Sequence, residues 1–254
     1  MCGNFPRSIM KWSLVILSFL LITLSASHPI HKPSSALENP QLYEGDIMLR
    51  EKPKFKRLTA VRYSNELWPD AIIPYKFSPN IEPSRKELIL QAMEIYHQMT
   101  CIRFVPYTEG TRHYVRIFKG NGCYSHVGFM GYKVQSLSLG EGCQRLGIVL
   151  HELGHTIGLF HEHTRSDRDK YLNINWENVN HEMNSSFTKT PARKHKLLSP
   201  FDYDSIMLYG PRAFSIGRNK PTIEAHSGVK LLDVWEKTDL SDTDVERIQR
   251  LYRC

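Results

Sequence analysis

The fold of this chain is decided by the stretch HELGHTIGLFH at positions 151–161. If this stretch is helical, His151 and His155 leave the same face one turn apart, because they are four residues apart. Two imidazole nitrogens at that spacing can reach a single metal ion. Glu152 then lies beside the metal and not on it, where a carboxylate can act as a general base.

Two further residues extend this pattern. Gly158 permits the helix to end, because glycine adopts the left-handed conformation at little cost. The chain then turns back and brings His161 in as a third ligand, and three protein nitrogens with one open position are typical of catalytic zinc. A bare His-Glu-x-x-His also occurs by chance on amphipathic helices, but coincidence rarely adds both extra residues. The extended pattern is identified as the metzincin signature.

The N-terminus predicts export. Arg7 and Lys11 precede an apolar run at 12–24, and small residues follow at 25–27. This order of a basic segment, a short apolar run and small residues is typical of a secretory signal peptide, which we assign to residues 1–27. The apolar run is too short to span a bilayer well. No later stretch is long and apolar enough for a membrane helix. We therefore expect a secreted protein without a membrane anchor.

The cysteines agree with export. Cys2 lies in the signal peptide, which leaves four others: Cys101, Cys123, Cys143 and Cys254. Four cysteines in an exported chain predict two disulfides, with three possible pairings. Zinc thiolates are the alternative, but the chain has no Cys-x-x-Cys spacing. Asn184 begins an Asn-Ser-Ser sequence and is a candidate N-glycosylation site.

The net charge is modest once the N-terminal segments are set aside. The formal charge of +7 falls by two without the signal peptide and by two without residues 28–58, which leaves +3. The remaining sequence has no basic blocks interleaved with aromatic residues. These features argue against a nucleic-acid partner.

Residues 28–58 contain prolines and charges without sustained periodicity, and we interpret them as an extended leader. The leader ends near a basic run at 54–57, which a processing protease could cut; an ordinary solvated linker is the alternative. From Trp68 the composition becomes globular, and we assign residues 59–254 to one domain.

Periodicity predicts an α+β arrangement. A capping box of Ser84 and Glu87 predicts the start of a helix, and Pro74 indicates an edge or end position in its strand. Strands are predicted at 71–77, 102–105, 114–118 and 134–139, and further helices at 144–160, 176–183 and 241–252. The zinc helix then separates an N-terminal α+β half from an irregular C-terminal half, with a cleft between them.

Several motifs resemble one family in the same order. The sequence HELGHTIGLFHEHTRSDRD at 151–169 resembles the long zinc signature of the astacin metallopeptidases, and SIMLY at 205–209 resembles their Met-turn. The four cysteines fall where the family's cysteines lie, and the resemblance extends from about Trp68 to Cys254. Leu208 stands where the family usually has histidine, and the usual Gly-Phe-x-His is Gly-Leu-Phe-His here.

The resemblance implies a metzincin-like fold of two subdomains. The N-terminal subdomain would contain a mixed twisted sheet and two long helices, and the irregular C-terminal subdomain a Met-turn and a final helix. It also implies the disulfides Cys101–Cys254 and Cys123–Cys143. No appended module is expected.

The resemblance further implies roles for individual residues. Met207 would form an apolar floor beneath the metal. Tyr209 would be a fifth zinc ligand in the resting enzyme and would support the oxyanion when substrate binds. Glu162 would be buried and bonded through water to a new N-terminus near residues 58–60.

The leader carries a motif of its own. Glu44-Gly45-Asp46 matches the family's leader sequence, in which the aspartate ligates zinc and displaces the catalytic water. Asp46 is therefore the candidate ligand of a latent precursor.

These features predict a secreted, monomeric zinc endopeptidase that acts on protein or peptide substrates. An edge strand at 134–139 would hold the substrate backbone, and Lys237 would line the pocket beyond the scissile bond. A zinc-stabilised secreted binding protein or toxin is the alternative. The presence of Glu152 argues against it, because a protein that only binds needs no general base. The physiological substrate is not predicted.

Overall fold

The structure is a computed structural model that describes residues 36–49, 66–191 and 197–254. The predicted signal peptide, the basic run and the expected new N-terminus lie outside these residues. None of the helices in the described ranges has the length and apolar content that a bilayer crossing requires.

A five-stranded sheet forms the N-terminal subdomain. In chain order its strands are β1 (Ile72–Phe77), β2 (Arg103–Pro106), β3 (Tyr114–Phe118), β4 (Cys123–Ser125) and β5 (Val134–Leu139). Their spatial order is β2-β1-β3-β5-β4, and only β4 runs antiparallel to its neighbour. Alternate side chains, such as Ile73 and Ile117, are buried in the core.

The edge strand above the zinc helix is β4, which corrects the prediction of an edge at 134–139. Those residues form β5, which lies between β3 and β4. Strand β1 is also internal, and its register with β3 begins at Tyr75. Pro74 lies one residue before the paired segment of β1 and β3, and its only aligned residue is Val105 of β2. Its missing N–H therefore does not interrupt the hydrogen bonds between β1 and β3.

Two long helices cover the inner face of this sheet. Helix α1 (Pro83–Met99) begins with Pro83 at its first position, where the missing N–H costs nothing. Its N-cap is Glu82 and has no side-chain cap bond, so the predicted capping box at Ser84 is wrong. Helix α2 (Leu146–Ile157) is the zinc helix and is almost wholly buried. The Tyr96 hydroxyl of α1 donates to the Leu150 carbonyl of α2 at 2.8 Å, which fixes the two helices together.

The C-terminal subdomain is mostly irregular, as expected. It contains a two-stranded sheet of β6 (Leu172–Ile174) and β7 (Ile223–Ala225) and ends in α3 (Asp242–Tyr252). The helix predicted at 176–183 is instead two 3₁₀ segments, Trp176–Asn178 and His181–Phe187.

Two disulfides tie these parts together. Cys101–Cys254 joins the segment before β2 to the second residue after α3, and Cys123–Cys143 joins β4 to the loop before α2. These are the pairings that the resemblance implied. Together with the two-subdomain architecture, they confirm a metzincin-like α+β fold.

Candidate metal centre

Three imidazoles converge at the end of the zinc helix. The Nε2 atoms of His151 and His161 are 3.2 Å apart, and those of His155 and His161 are also 3.2 Å apart. All three side chains are buried. The rings therefore point at a common centre and not at separate partners.

The outer ring nitrogens show which atoms face that centre. The Nδ1 of His151 lies 2.8 Å from the Ile206 carbonyl, and the Nδ1 of His155 lies 2.8 Å from the Leu159 carbonyl. A carbonyl only accepts, so each Nδ1 carries the proton and each Nε2 presents a lone pair. Converging lone pairs repel one another unless a cation lies between them, so this donor arrangement suits a metal ion.

The spacing also fits zinc. Zinc ligands at 2.0–2.1 Å on the corners of a tetrahedron lie roughly 3.3–3.4 Å apart. Asp46 Oδ2 lies 3.1 Å from His151 Nε2 and 3.2 Å from His161 Nε2, and Asp46 Oδ1 lies 3.4 Å from His155 Nε2. The ligand atoms of these four residues form one compact group that can hold a metal ion.

The end of α2 brings the third histidine into place. Gly158 ends the helix with φ +116°, a left-handed conformation that costs glycine little. The Leu159 amide then bonds back to the Gly154 carbonyl at 2.9 Å, and the Glu162 amide donates to the Met207 carbonyl at 3.0 Å. His161 is thus fixed between the helix end and the Met-turn.

The leader enters this site along the edge strand. The Ser125 amide of β4 donates to the Asp46 carbonyl at 2.9 Å, and the Met48 amide donates to the Ser125 carbonyl at 2.8 Å. Ile47 forms a parallel bridge with Ser125. The described leader residues therefore use the hydrogen-bonding groups that an extended peptide would need at this edge.

A glycine allows the leader to turn towards the metal centre. Gly45 has φ +93°, and a Cβ at this position would clash with the Leu37 carbonyl oxygen and lie 2.8 Å from the Phe214 ring. Only glycine fits there without a shift of the backbone. The turn buries Asp46 completely.

Asp46 is held as an anion. Burial alone would raise its pKa, but when the imidazoles of His161, His155 and His151 carry a second proton they outweigh burial and hold the Asp46 pKa well below its usual value. Its Oδ2 also accepts a hydrogen bond from the Tyr209 hydroxyl at 2.6 Å.

Tyr209 lies against the same cluster. Its ring stacks on His161 with 4.6 Å between ring centres. Burial and the Asp46 charge raise the pKa of the phenol well above 10.0, so it stays a hydrogen-bond donor. Its assignment as a fifth metal ligand stays a prediction, because its hydroxyl is bonded to Asp46 here.

Glu152 is a buried carboxylate without a hydrogen-bond partner among the described residues. Burial, followed by the charge of Asp46, raises its pKa well above 4.5. A buried unpaired carboxylate is costly, and such groups are concentrated at catalytic sites. Its assignment as the general base stays a prediction.

Met207 and Lys237 are both part of the packing around the Met-turn. Met207 is buried, and a Cβ on Gly154 would lie 2.6 Å from its sulfur, so the turn packs directly on the zinc helix. Lys237 does not line an open pocket: it is buried, and its ammonium donates to the carbonyls of Ser205 at 2.6 Å and Leu208 at 2.8 Å. The structure thus corrects the predicted substrate contact of Lys237, which instead holds the Met-turn.

Glu162 is buried, as expected, but its partners here are cations. Its carboxylate accepts from Arg165 at 3.0 Å and Arg247 at 3.0 Å, and from the Asp202 amide at 3.1 Å. Burial raises its pKa despite both guanidinium groups. The expected bond to a new N-terminus involves residues outside the described ranges.

Asn184 is exposed, as a glycosylation site requires.

Sequence reasoning missed two contributors to the site. Ser125 was missed because β4 is only three residues long. His163 is buried with its ring centre 5.1 Å from that of Tyr209; it lies within the long signature at 151–169, but the pattern assigned it no role. The carbonyls of Ile206 and Leu159, which orient the ligands, carry no side-chain signal at all.

The comparison with known families agrees with this geometry. A model of the Astacin peptidase family matches residues 60–253. The chain belongs to the astacin family. As an astacin it is a zinc metalloprotease, and His151, His155, His161 and Asp46 form its zinc-binding group.

Individual astacins are similar over most of the chain. Astacin-like metalloprotease toxin 1 of Loxosceles intermedia is 40% identical over 222 residues, which cover 86% of this chain and 83% of that protein. Astacin-like metalloprotease toxin 2 of the same species is 38% identical over 242 residues, which cover 92% of each chain. Among solved structures, high choriolytic enzyme 1, a hatching-enzyme zinc protease of the medaka fish Oryzias latipes, is 35% identical with a TM-score of 0.67. That match covers 82% of this chain and 99% of the fish enzyme.

Proposed function

We propose that this astacin is a secreted zinc endopeptidase made as a latent precursor. The observation that carries the proposal is the unpaired, buried Glu152 carboxylate beside three converging imidazoles. His151, His155 and His161 would hold zinc, which would supply a Lewis acid able to polarise a carbonyl and make water more acidic.

Glu152 is the general base in this proposal. Its carboxylate accepts a proton from the attacking water and returns it to the leaving amine. The carboxylate needs no other partner for this task, which accounts for a buried group that bonds to nothing else among the described residues. Departure of Asp46 removes the charge that, together with burial, raises the Glu152 pKa.

Strand β4 and Tyr209 position the substrate. A peptide laid along β4 would use the backbone groups of Ser125 that the leader now occupies. The Tyr209 hydroxyl, released from Asp46, donates to the oxyanion that forms at the scissile carbonyl. The phenol suits this role because its ordinary pKa of about 10 keeps its proton in place at neutral pH.

Latency follows from residues 36–49 in this proposal. Asp46 joins the three histidines and the leader backbone covers β4, so both the metal centre and the substrate strand are taken. We assign 1–27 to a signal peptide, 28–58 to the pro-segment and 59–254 to the protease domain. Cleavage near the basic run at 54–57 would free the site and deliver the new N-terminus towards Glu162.

The test replaces Glu152 with alanine in zinc-loaded, leader-free protein. Loss of this general base should reduce hydrolysis of casein and of a quenched peptide by about 10²–10⁴-fold while zinc is retained. The exposed Glu141→Ala variant is the control and should keep full activity. Full activity of the Glu152→Ala protein would rule out the mechanism. A wild-type protein that keeps zinc but cleaves no protein or peptide would favour the zinc-stabilised binding protein or toxin.

A further inference from the structure

The outer face of the five-stranded sheet is cationic. We define this face by the strand residues that point away from α1 and α2, among them Lys76, Arg103, Tyr114, Arg116, Phe118 and Tyr124. Three strand residues of this face are charged, and all three are basic: Lys76, Arg103 and Arg116. Its other members are apolar, aromatic or hydroxyl side chains.

Two of these cations lie side by side. Lys76 of β1 and Arg116 of β3 are register partners, and both are exposed. Neighbouring strands lie about 4.8 Å apart, so like charges in register repel each other. The ion pairs of the described N-terminal subdomain involve other cations, so this repulsion is not offset by a described carboxylate within ion-pair distance. An external anion would offset it.

Aromatic rings hold both cations in place. The Lys76 ammonium lies 5.0 Å from the Tyr107 ring centre, and the Arg116 guanidinium lies 5.1 Å from that of Phe118. Tyr107 in turn packs on Tyr114 with 4.6 Å between ring centres. Cation–π contacts of this kind restrict the cations without neutralising them. The face therefore combines fixed positive charges with half-exposed aromatic surface.

We propose that the outer face binds a sulfated polysaccharide. Lys76 and Arg116 would contact sulfate groups, which resemble phosphate in their charge and acceptor oxygens. Tyr107 and Phe118 would pack against the apolar faces of the sugar rings. We choose a polysaccharide over nucleic acid because the proposed function includes export, and the two disulfides favour an exported protein. This choice does not depend on the proposed proteolytic activity.

The experiment measures binding of the full-length precursor and the processed enzyme to immobilised heparin at about 0.15 M salt. The double variant Lys76→Gln/Arg116→Gln should bind about tenfold more weakly, because two exposed charge contacts are each worth about threefold. The control is Arg218→Gln/Lys220→Gln, which removes the same net charge from exposed positions in the C-terminal subdomain. It should bind within about twofold of wild type.

Three outcomes would overturn the proposal. In the first, both double variants lose heparin binding equally. In the second, Lys76→Gln/Arg116→Gln binds heparin as tightly as wild type. In the third, the wild-type protein binds desulfated heparin or duplex DNA as tightly as heparin. Quenched-peptide turnover by the processed variants should equal that of wild type. An inactive wild-type enzyme would contradict the proposed proteolysis and leave the heparin comparison intact.

Discussion

The outer nitrogen of the zinc ligand His161 lies 2.7 Å from the leader carboxylate of Glu44. The corresponding nitrogens of His151 and His155 bond to carbonyls of the protease domain. Among the three histidine ligands, His161 is thus the one whose outer nitrogen is hydrogen-bonded to a leader side chain. Outer partners of this kind orient a ligand and raise its basicity.

Glu44→Gln should therefore weaken zinc binding by the precursor. Loss of the carboxylate partner is expected to cost about 10–100-fold in metal affinity, measured by competition with a chromophoric chelator. The processed enzyme made from the same variant is the control, because residue 44 is no longer present. A precursor with unchanged zinc affinity would show that Glu44 is only a space-filling contact.

Asp46→Ala should produce a precursor that cleaves a quenched peptide before the leader is removed. The substitution removes the fourth member of the metal-facing group and the acceptor of the Tyr209 hydroxyl. Peptide cleavage must be followed together with the intact mass of the precursor, so that processing is not mistaken for activity. Complete latency of the variant would count against the aspartate switch.

Gly45→Ala tests the turn that carries Asp46. A methyl group there would clash with the Leu37 carbonyl in addition to the strain of φ +93°. Gly110 is the matched control, because it has φ +90° with nothing within 4 Å of an added Cβ. Gly45→Ala should release peptide cleavage in the precursor, and Gly110→Ala should not. Equal effects of the two substitutions would assign the result to backbone strain alone.

Lys237 should make stability rise with pH in the alkaline range. Burial lowers the pKa of its ammonium from 10.5 to about 8. Between these values the unfolded chain binds the proton that the folded protein has released, so the free energy of unfolding increases with pH. The full shift corresponds to roughly 3 kcal/mol. Urea unfolding at a series of pH values would measure the slope.

The matched variant is Lys237→Met, which removes the titrating group. It should lose this rise. Loss of the ammonium leaves the Leu208 carbonyl without its described donor, which should lower stability at every pH by about 1–3 kcal/mol, whereas the Ser205 carbonyl keeps its bond from the Leu208 amide. The same alkaline slope in wild type and variant would contradict the assignment.

The zinc centre was predictable because its geometry is local. His151 and His155 share a helical face, and Gly158 must lie where the chain reverses. Strands β3 and β5 also coincide with their predicted ranges, since each is a run with clear alternation or apolar content.

The remaining features depend on contacts between distant segments. Strand β4 is too short to give a periodic signal, and its edge position results from pairing with β5. Lys237 resembles any surface lysine in sequence, and only the fold places carbonyls around it. The 3₁₀ segments at 176–187 replace a helix because tertiary packing overrides a weak local preference.

The long disulfide has a consequence for biosynthesis. Cys101 can form its disulfide only after Cys254 has been synthesised, 153 residues later, whereas Cys123 and Cys143 are only 20 residues apart. At about 5–20 residues per second, the ribosome needs roughly 8–30 s to deliver that partner. The small loop can thus oxidise while Cys101 is still a free thiol. Under the export proposed above, the nascent enzyme would pass through a one-bridge species that oxidoreductases of the secretory pathway can capture.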